Sequence, residues 1–150
     1  MGYHLGTVWP WDVALLVSGL RRYGFTQDAQ TIGTQLYRAG LEFLYYRFPE
    51  VFTGFSRSHN PFPVPYPVSC SPQAWSAGAT LQLLQTFLGI YPDAGHGRVT
   101  LAPALPNWLN EVRVSNLRIG DASLDLLFML HDSYSTVQVL AKNGALDVMI

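Results

Sequence analysis

Charge, cysteine and long apolar runs are what this sequence of 150 residues has least of. Only 13% of the residues are charged, and 9 Lys and Arg against 10 Asp and Glu leave a formal net charge of -1. A nucleic-acid binder carries a basic stripe, whereas here only Arg21 and Arg22 stand together, so nucleic acid is not expected as a partner. No uninterrupted apolar run approaches the roughly 20 residues that cross a bilayer. The start MGYHLGTVWPWD also lacks a basic flank followed by an apolar segment, so neither a membrane span nor a secretory signal is expected. A single cysteine, Cys70, excludes an intrachain disulfide and fits a reducing, cytoplasmic setting.

What the chain has instead is apolar and aromatic: 49% hydrophobic residues, with 4 Trp, 8 Tyr and 8 Phe. That composition excludes a disordered tail, which needs low hydrophobicity and high net charge. Most of the rings lie before residue 92, and the remainder reads as short strands, so a helical region over 1–92 and a β region over 93–150 are expected.

Val13, Leu16, Val17 and Leu20 recur at helical spacing from Pro10 to Tyr23, with Pro10 suited to a first turn and Gly24 to a stop. Thr26 reads as the cap of a second helix with Ile32, Leu36, Ala39 and Phe43 on one stripe, ending before Pro49. Ser71 and Pro72 read as the cap and first turn of a third, whose face is Ala77, Leu81, Leu84 and Leu88 and whose stop is Gly89. Between Arg47 and Pro72 the prolines, among them Pro61, Pro63, Pro65 and Pro67, predict a long loop of the kind that carries function. Beyond Pro106, alternation at Val112 and Val114, at Leu124 to Leu130 and at Val137 and Val139 predicts strands of one small antiparallel sheet. Gly120-Asp121 and Asn143-Gly144 mark its hairpins. Three helices and a small sheet leave more apolar surface than they can hide, so a fragment is expected.

No metal or other cofactor is expected, since His4, His59, His96 and His131 never approach ligand spacing and Cys70 stands alone. No G-x-S-x-G, H-E-x-x-H or phosphate-cradling glycine loop supports acyl or phosphoryl transfer. Carboxylates among aromatic rings remain, and that combination points to sugars. Rings offer flat faces to a pyranose, and indole N–H and phenol O–H groups bond its hydroxyls at the edges. Trp9, Trp11, Tyr45, Tyr46, Phe52, Phe55, Tyr66 and Trp75 are the candidates, each of which equally suits a core.

Glu50 follows Pro49 at the mouth of the proline-rich loop, flanked by Val51 and Phe52; it is the candidate catalytic carboxylate, or else a solvated loop residue. Asp12 stands in a first helical turn, where the helix dipole alone would favour it. His4, Arg57, Gln73 and Trp75 could hold substrate hydroxyls, although each also suits a structural role.

The segments G-Y-H-L-G-T-V-W-P-W-D-V-A-L (2–15), G-L-R-R-Y-G (19–24), F-P-E-V-F-T-G-F (48–55) and S-C-S-P-Q-A-W-S-A-G-A (69–79) resemble the C-terminal part of the amylo-alpha-1,6-glucosidase, or glycogen debranching, family. L-G-I-Y-P-D-A (88–94) and L-A-P-A-L-P-N-W-L (101–109) extend the likeness over almost the whole chain.

The resemblance implies a fold that is mainly α with a C-terminal β region. Residues 1–92 would be the last helices of the (α/α)6 toroid of six-hairpin, inverting glycoside hydrolases, with helices one and three inner and helix two outer. Residues 93–150 would be an antiparallel β region packed behind. It implies hydrolysis of α-glucosidic, glycogen-like α-1,6 linkages with Glu50 as general base. His4, Trp9 and Asp12, with Gln73 and Trp75, would line the sugar pocket. The catalytic acid belongs to an earlier segment that nothing here resembles, so the chain alone is expected to be inactive and to partner, if anything, the missing N-terminal part of the barrel. Trp11 replaces the family's common histidine in W-P-x-D, which leaves substrate preference open. The alternatives are another glycoside, of mannosyl or glucosyl-glycerate type, or a non-catalytic carbohydrate-binding domain.

Overall fold

The computed structural model describes residues 2–150. Three helices and eight strands follow in the order β1 (Thr7–Val8), α1 (Pro10–Arg22), α2 (Thr26–Gly40), β2 (Phe52–Thr53), α3 (Ala74–Leu88), β3 (Ile90–Asp93), β4 (Arg98–Leu101), β5 (Glu111–Ile119), β6 (Ala122–Leu130), β7 (Ser135–Asn143) and β8 (Asp147–Met149). The chain forms two compact units, one through Leu84 and one from Gln85 to Ile150.

In the first unit, Pro10 opens α1 with its backbone angle already set, and Asp12 in the first turn with Arg21 and Arg22 in the last oppose the helix dipole. α2 repeats this device with Asp28 and Arg38. Thr26 is not its cap: Phe25 holds that position without a side-chain bond, and the Thr26 hydroxyl instead accepts from Arg21 Nη1 at 3.3 Å. Small residues line the buried stripes, Ala14 and Val17 on α1 and Ala29, Gly33, Leu36 and Ala39 on α2. α3 is tied to both neighbours: Tyr37 donates its hydroxyl hydrogen to the Thr80 carbonyl at 2.7 Å, and Gln82 Nε2 donates to Ser18 Oγ at 2.9 Å.

The third helix differs from expectation in start and face. It begins at Ala74, after a cis Ser71–Pro72 peptide, and it buries Ser76, Ala79, Leu83, Thr86 and Phe87. Ala77 and Leu81 face outward, Leu81 with 71% of its surface exposed. Leu88 is buried and Leu84 half-buried as expected, but hydropathy favours leucine over serine and threonine, so it misplaces the first half of the stripe when two hydroxyl residues lie inside.

The implied toroid is also overturned. The helices are matched by eight strands in three small sheets, and strand structure enters the expected helical region itself, where β1 and β2 pair. Inner and outer helices alternating around a central pocket do not describe two helices, α1 and α2, that pack on each other and a third whose C-terminal end packs in the β unit. Leu15 and Leu16 of α1 and Leu81 of α3 nonetheless remain exposed.

The proline-rich segment is ordered by acceptor-only pairing. β1 and β2 run antiparallel, Thr7 opposite Thr53 and Val8 opposite Phe52. On the other side of β2 the returning chain offers carbonyls: Thr53 N–H donates to Val64 O at 2.9 Å, Glu50 N–H donates to Cys70 O at 2.8 Å, and Phe52 forms a bridge with Pro65. Proline lacks a donor but keeps its acceptor, so a proline-rich limb can receive these bonds.

In the second unit β5, β6 and β7 form an antiparallel meander, and β6 alternates as expected, burying Ala122, Leu124, Leu126 and Phe128. β5 changes parity midway, from Val112 and Val114 to Leu117 and Ile119, through a bulge at which Asn116 takes φ 54° and donates its N–H to Asp125 Oδ1 at 2.7 Å. Gly120-Asp121 makes the expected tight turn. Asn143-Gly144 does not form a hairpin: the chain leaves the meander there, and β8 pairs in parallel with β4, which is antiparallel to β3. The expected single sheet is thus two. Among the described residues no helix is long and apolar enough to cross a membrane.

Candidate functional site

β1 and the loop before it bring four rings together in the first unit. His4 lies flat on Trp9, centroids 5.3 Å apart and planes within 4°. Tyr3 meets both edge-on, at 4.8 Å from His4 and 5.0 Å from Trp9, and meets Tyr66 of the returning limb at 5.5 Å. The Thr7 hydroxyl fixes the arrangement, accepting from Trp9 Nε1 at 3.2 Å and donating to the Tyr3 carbonyl at 2.7 Å.

Glu50 completes the cluster. Its Oε2 accepts the Cys70 N–H at 3.3 Å while its own N–H donates to the Cys70 carbonyl, so Cys70 holds both the backbone and the side chain of the residue. The Tyr3 phenol faces the same carboxylate: its hydrogen-bonding interaction with Glu50, with smaller contributions from partial burial and the Glu50 charge, pushes it up to about 12. Burial raises Tyr37 to about 12 as well.

A raised phenol keeps its proton longer in the folded chain. The stabilisation is therefore complete below the ordinary tyrosine value and is lost as pH rises from about 10 to about 12. Phenolate absorbance during alkaline titration should show Tyr3 and Tyr37 ionising last, with Glu50→Gln moving only the Tyr3 step down. A Tyr3 step unchanged by Glu50→Gln would disprove the pairing.

The other candidates are dispersed. Asp12 is exposed in the first turn of α1, with no hydrogen bond, ion pair or ring contact to the cluster among the described residues. Gln73 turns its Oε1 onto the Ala74 N–H at the start of α3. Trp75, 51% exposed, tilts against Trp11 at 5.4 Å, and the Trp11 indole N–H is buried without a partner among the described residues. Tyr45 and Tyr46 are exposed in a short 3-10 turn over Leu44–Tyr46, and Phe52 is core, 5.5 Å from Phe43.

Arg57 and Phe55 belong to a different place, a cavity of about 330 Å³ whose walls include Val8, Ile32, Leu36, Phe52 and Phe62. None of Tyr3, His4, Trp9, Glu50 and Tyr66 lines it. The residue that sequence reasoning overlooked is Tyr3. Its signal was position: it precedes His4 on a glycine-flanked turn, and Leu5 N–H closes that turn on the Gly2 carbonyl at 2.9 Å.

No protein-family profile matches this chain, and no curated protein matches it at a significant level.

Proposed function

We propose that the Tyr3, His4, Trp9 and Tyr66 cluster holds an α-glucosidic oligosaccharide of the glycogen-like, α-1,6-linked kind, with Glu50 as the general base of an inverting hydrolysis. The observation that carries this reading is the convergence of a stacked ring pair and a carboxylate in one cluster, in the segments that resemble the amylo-alpha-1,6-glucosidase family. Ring faces suit the C–H face of a pyranose, and the Tyr3 phenol and His4 imidazole supply edge hydrogen bonds. A carboxylate offers about four acceptor positions; the Cys70 N–H occupies one and the Tyr3 phenol bears on another, which leaves room to take a proton from water. Exposed Cys70 beside the carboxylate fits a reducing, cytoplasmic setting.

Inversion requires a second carboxyl roughly 6.5 to 9.5 Å away to protonate the leaving oxygen. Asp12, the other candidate carboxylate, is exposed in the first turn of α1 and makes no hydrogen bond or ion pair with the cluster among the described residues. This observation favours, as second reading, a cluster that binds the glycan without cleaving it unless another chain supplies the acid.

Calorimetric titration with isomaltotriose separates these outcomes. Saturable binding that weakens by about tenfold in Trp9→Ala, equivalent to about 1.4 kcal/mol, supports the sugar site; absence of binding refutes it. Glucose release that falls by about 10²-fold in Glu50→Gln assigns the base. Binding without release selects the second reading.

A further inference from the structure

The cavity beside α2 differs in chemistry from the ring cluster. Its floor is aliphatic and phenylalanine-rich, from Ile32 and Leu36 of α2 to Phe52, Phe55 and Phe62, and carries no indole or phenol edge to satisfy a sugar's hydroxyls. Polar groups are few: Gln35 stands on the α2 wall, and Thr53, Arg57 and Asn60 share the β2-to-loop side. Arg57 is exposed with no ion pair among the described residues, and the Asn60 carboxamide makes no hydrogen bond among them. Thr53, only 9% exposed, keeps a buried hydroxyl with no partner among the described residues.

Arg57 is the one charged residue on the lining, and no Asp or Glu offsets it. The chain as a whole is slightly negative, so attraction of an anion here would be local rather than a property of the surface. Planar guanidinium and carboxamide groups over an apolar pocket match a carboxylate attached to an apolar body. At about 330 Å³ the space is at the small end of ligand pockets and suits one bicyclic ring.

We infer that this cavity, separate from the proposed sugar site, binds an amphiphilic organic carboxylate, with its apolar body among Ile32, Phe52, Phe55 and Phe62 and its head on Arg57 and Asn60. A flat aromatic acid satisfies both parts, whereas a neutral analogue satisfies only the first.

The probe is naphthalene-2-carboxylate, titrated calorimetrically beside its neutral carboxamide. Saturable binding of the acid should weaken by about tenfold in Arg57→Gln and again in Asn60→Asp, while the carboxamide binds all three proteins alike. Both substitutions lie on the loop, away from every helix, and circular dichroism verifies the fold. Trp9→Ala and excess isomaltotriose should leave acid binding unchanged, which keeps this result independent of the sugar site. No saturable binding, affinity for the acid in either loop variant equal to that of the unsubstituted protein, or loss of binding in Trp9→Ala would overturn the inference.

Discussion

Gly89→Ala is expected to destabilise the second unit by about 3 kcal/mol or more, out of the roughly 5 to 15 kcal/mol that holds an ordinary domain. Gly89 ends α3 with φ +61°, a conformation that costs a side-chain-bearing residue about 1 to 3 kcal/mol by itself. A β-carbon there would lie 1.9 Å from the Ala102 carbonyl oxygen and 2.3 Å from its carbon. Both obstacles are backbone, so no rotamer relieves the collision. Ala102 is held in place because its N–H donates to Gly89 O at 2.9 Å, and Ala104 N–H donates to Phe87 O at 2.9 Å. Retreat of the 102–104 segment would break these bonds at about 1 kcal/mol each. Gly97→Ala supplies the control: its φ is +62° but nothing lies within 4 Å of the added carbon, so it should lose only about 1 kcal/mol. Urea denaturation followed by circular dichroism measures both, and equal losses would contradict the steric account.

The second large effect falls on the candidate site. Gly54→Ala is expected to weaken isomaltotriose binding by about thirtyfold, or about 2 kcal/mol, while leaving the second unit intact. Gly54 N–H donates to the Gly6 carbonyl at 2.9 Å, and a β-carbon at 54 would stand 2.6 Å from that same oxygen. The substitution thus expels the acceptor that its own N–H uses, at the end of the β1–β2 pairing. Tyr3 and His4 precede that junction and Glu50 lies just before β2, so parting the strands separates rings from carboxylate. The Tyr3 phenol should then titrate near the ordinary tyrosine value. Unchanged binding together with an unchanged phenol would mean that the ribbon does not position the cluster.

Helix positions were legible where punctuation was local. Pro10 and the 3.6-residue spacing place α1, and Gly89 marks the end of α3. The buried face of α3 was not legible, because its inner stripe includes Ser76 and Thr86 while Leu81 faces out. The strands of the meander show in period-two alternation, but the destination of the chain after Asn143-Gly144 depends on a pairing with β4 more than forty residues back, which no local signal encodes. The toroid expectation failed for a related reason: it carried an architecture over from motif likeness, and motifs fix local turns more firmly than they fix what packs around them.

At the site, Glu50, His4, Trp9 and Tyr66 could be named from residue type, yet their convergence rests on β1 meeting β2, a two-residue pairing too short to leave a periodic trace. Arg57 could be named too, but not the cavity it lines, which is made by residues drawn from α1, α2 and the loop.

Where the returning limb runs beside β2, the Val64 carbonyl faces Thr53. Alternate residues of an extended chain turn their backbones to opposite sides, so positions 63 and 65 present theirs away from β2, and both are prolines. That outer border has no amide hydrogens at these positions with which to recruit another extended chain. A sequence so sparing of charge, with so many exposed rings, therefore carries a built-in guard against edge-to-edge aggregation at the border where stacking of strands would otherwise begin.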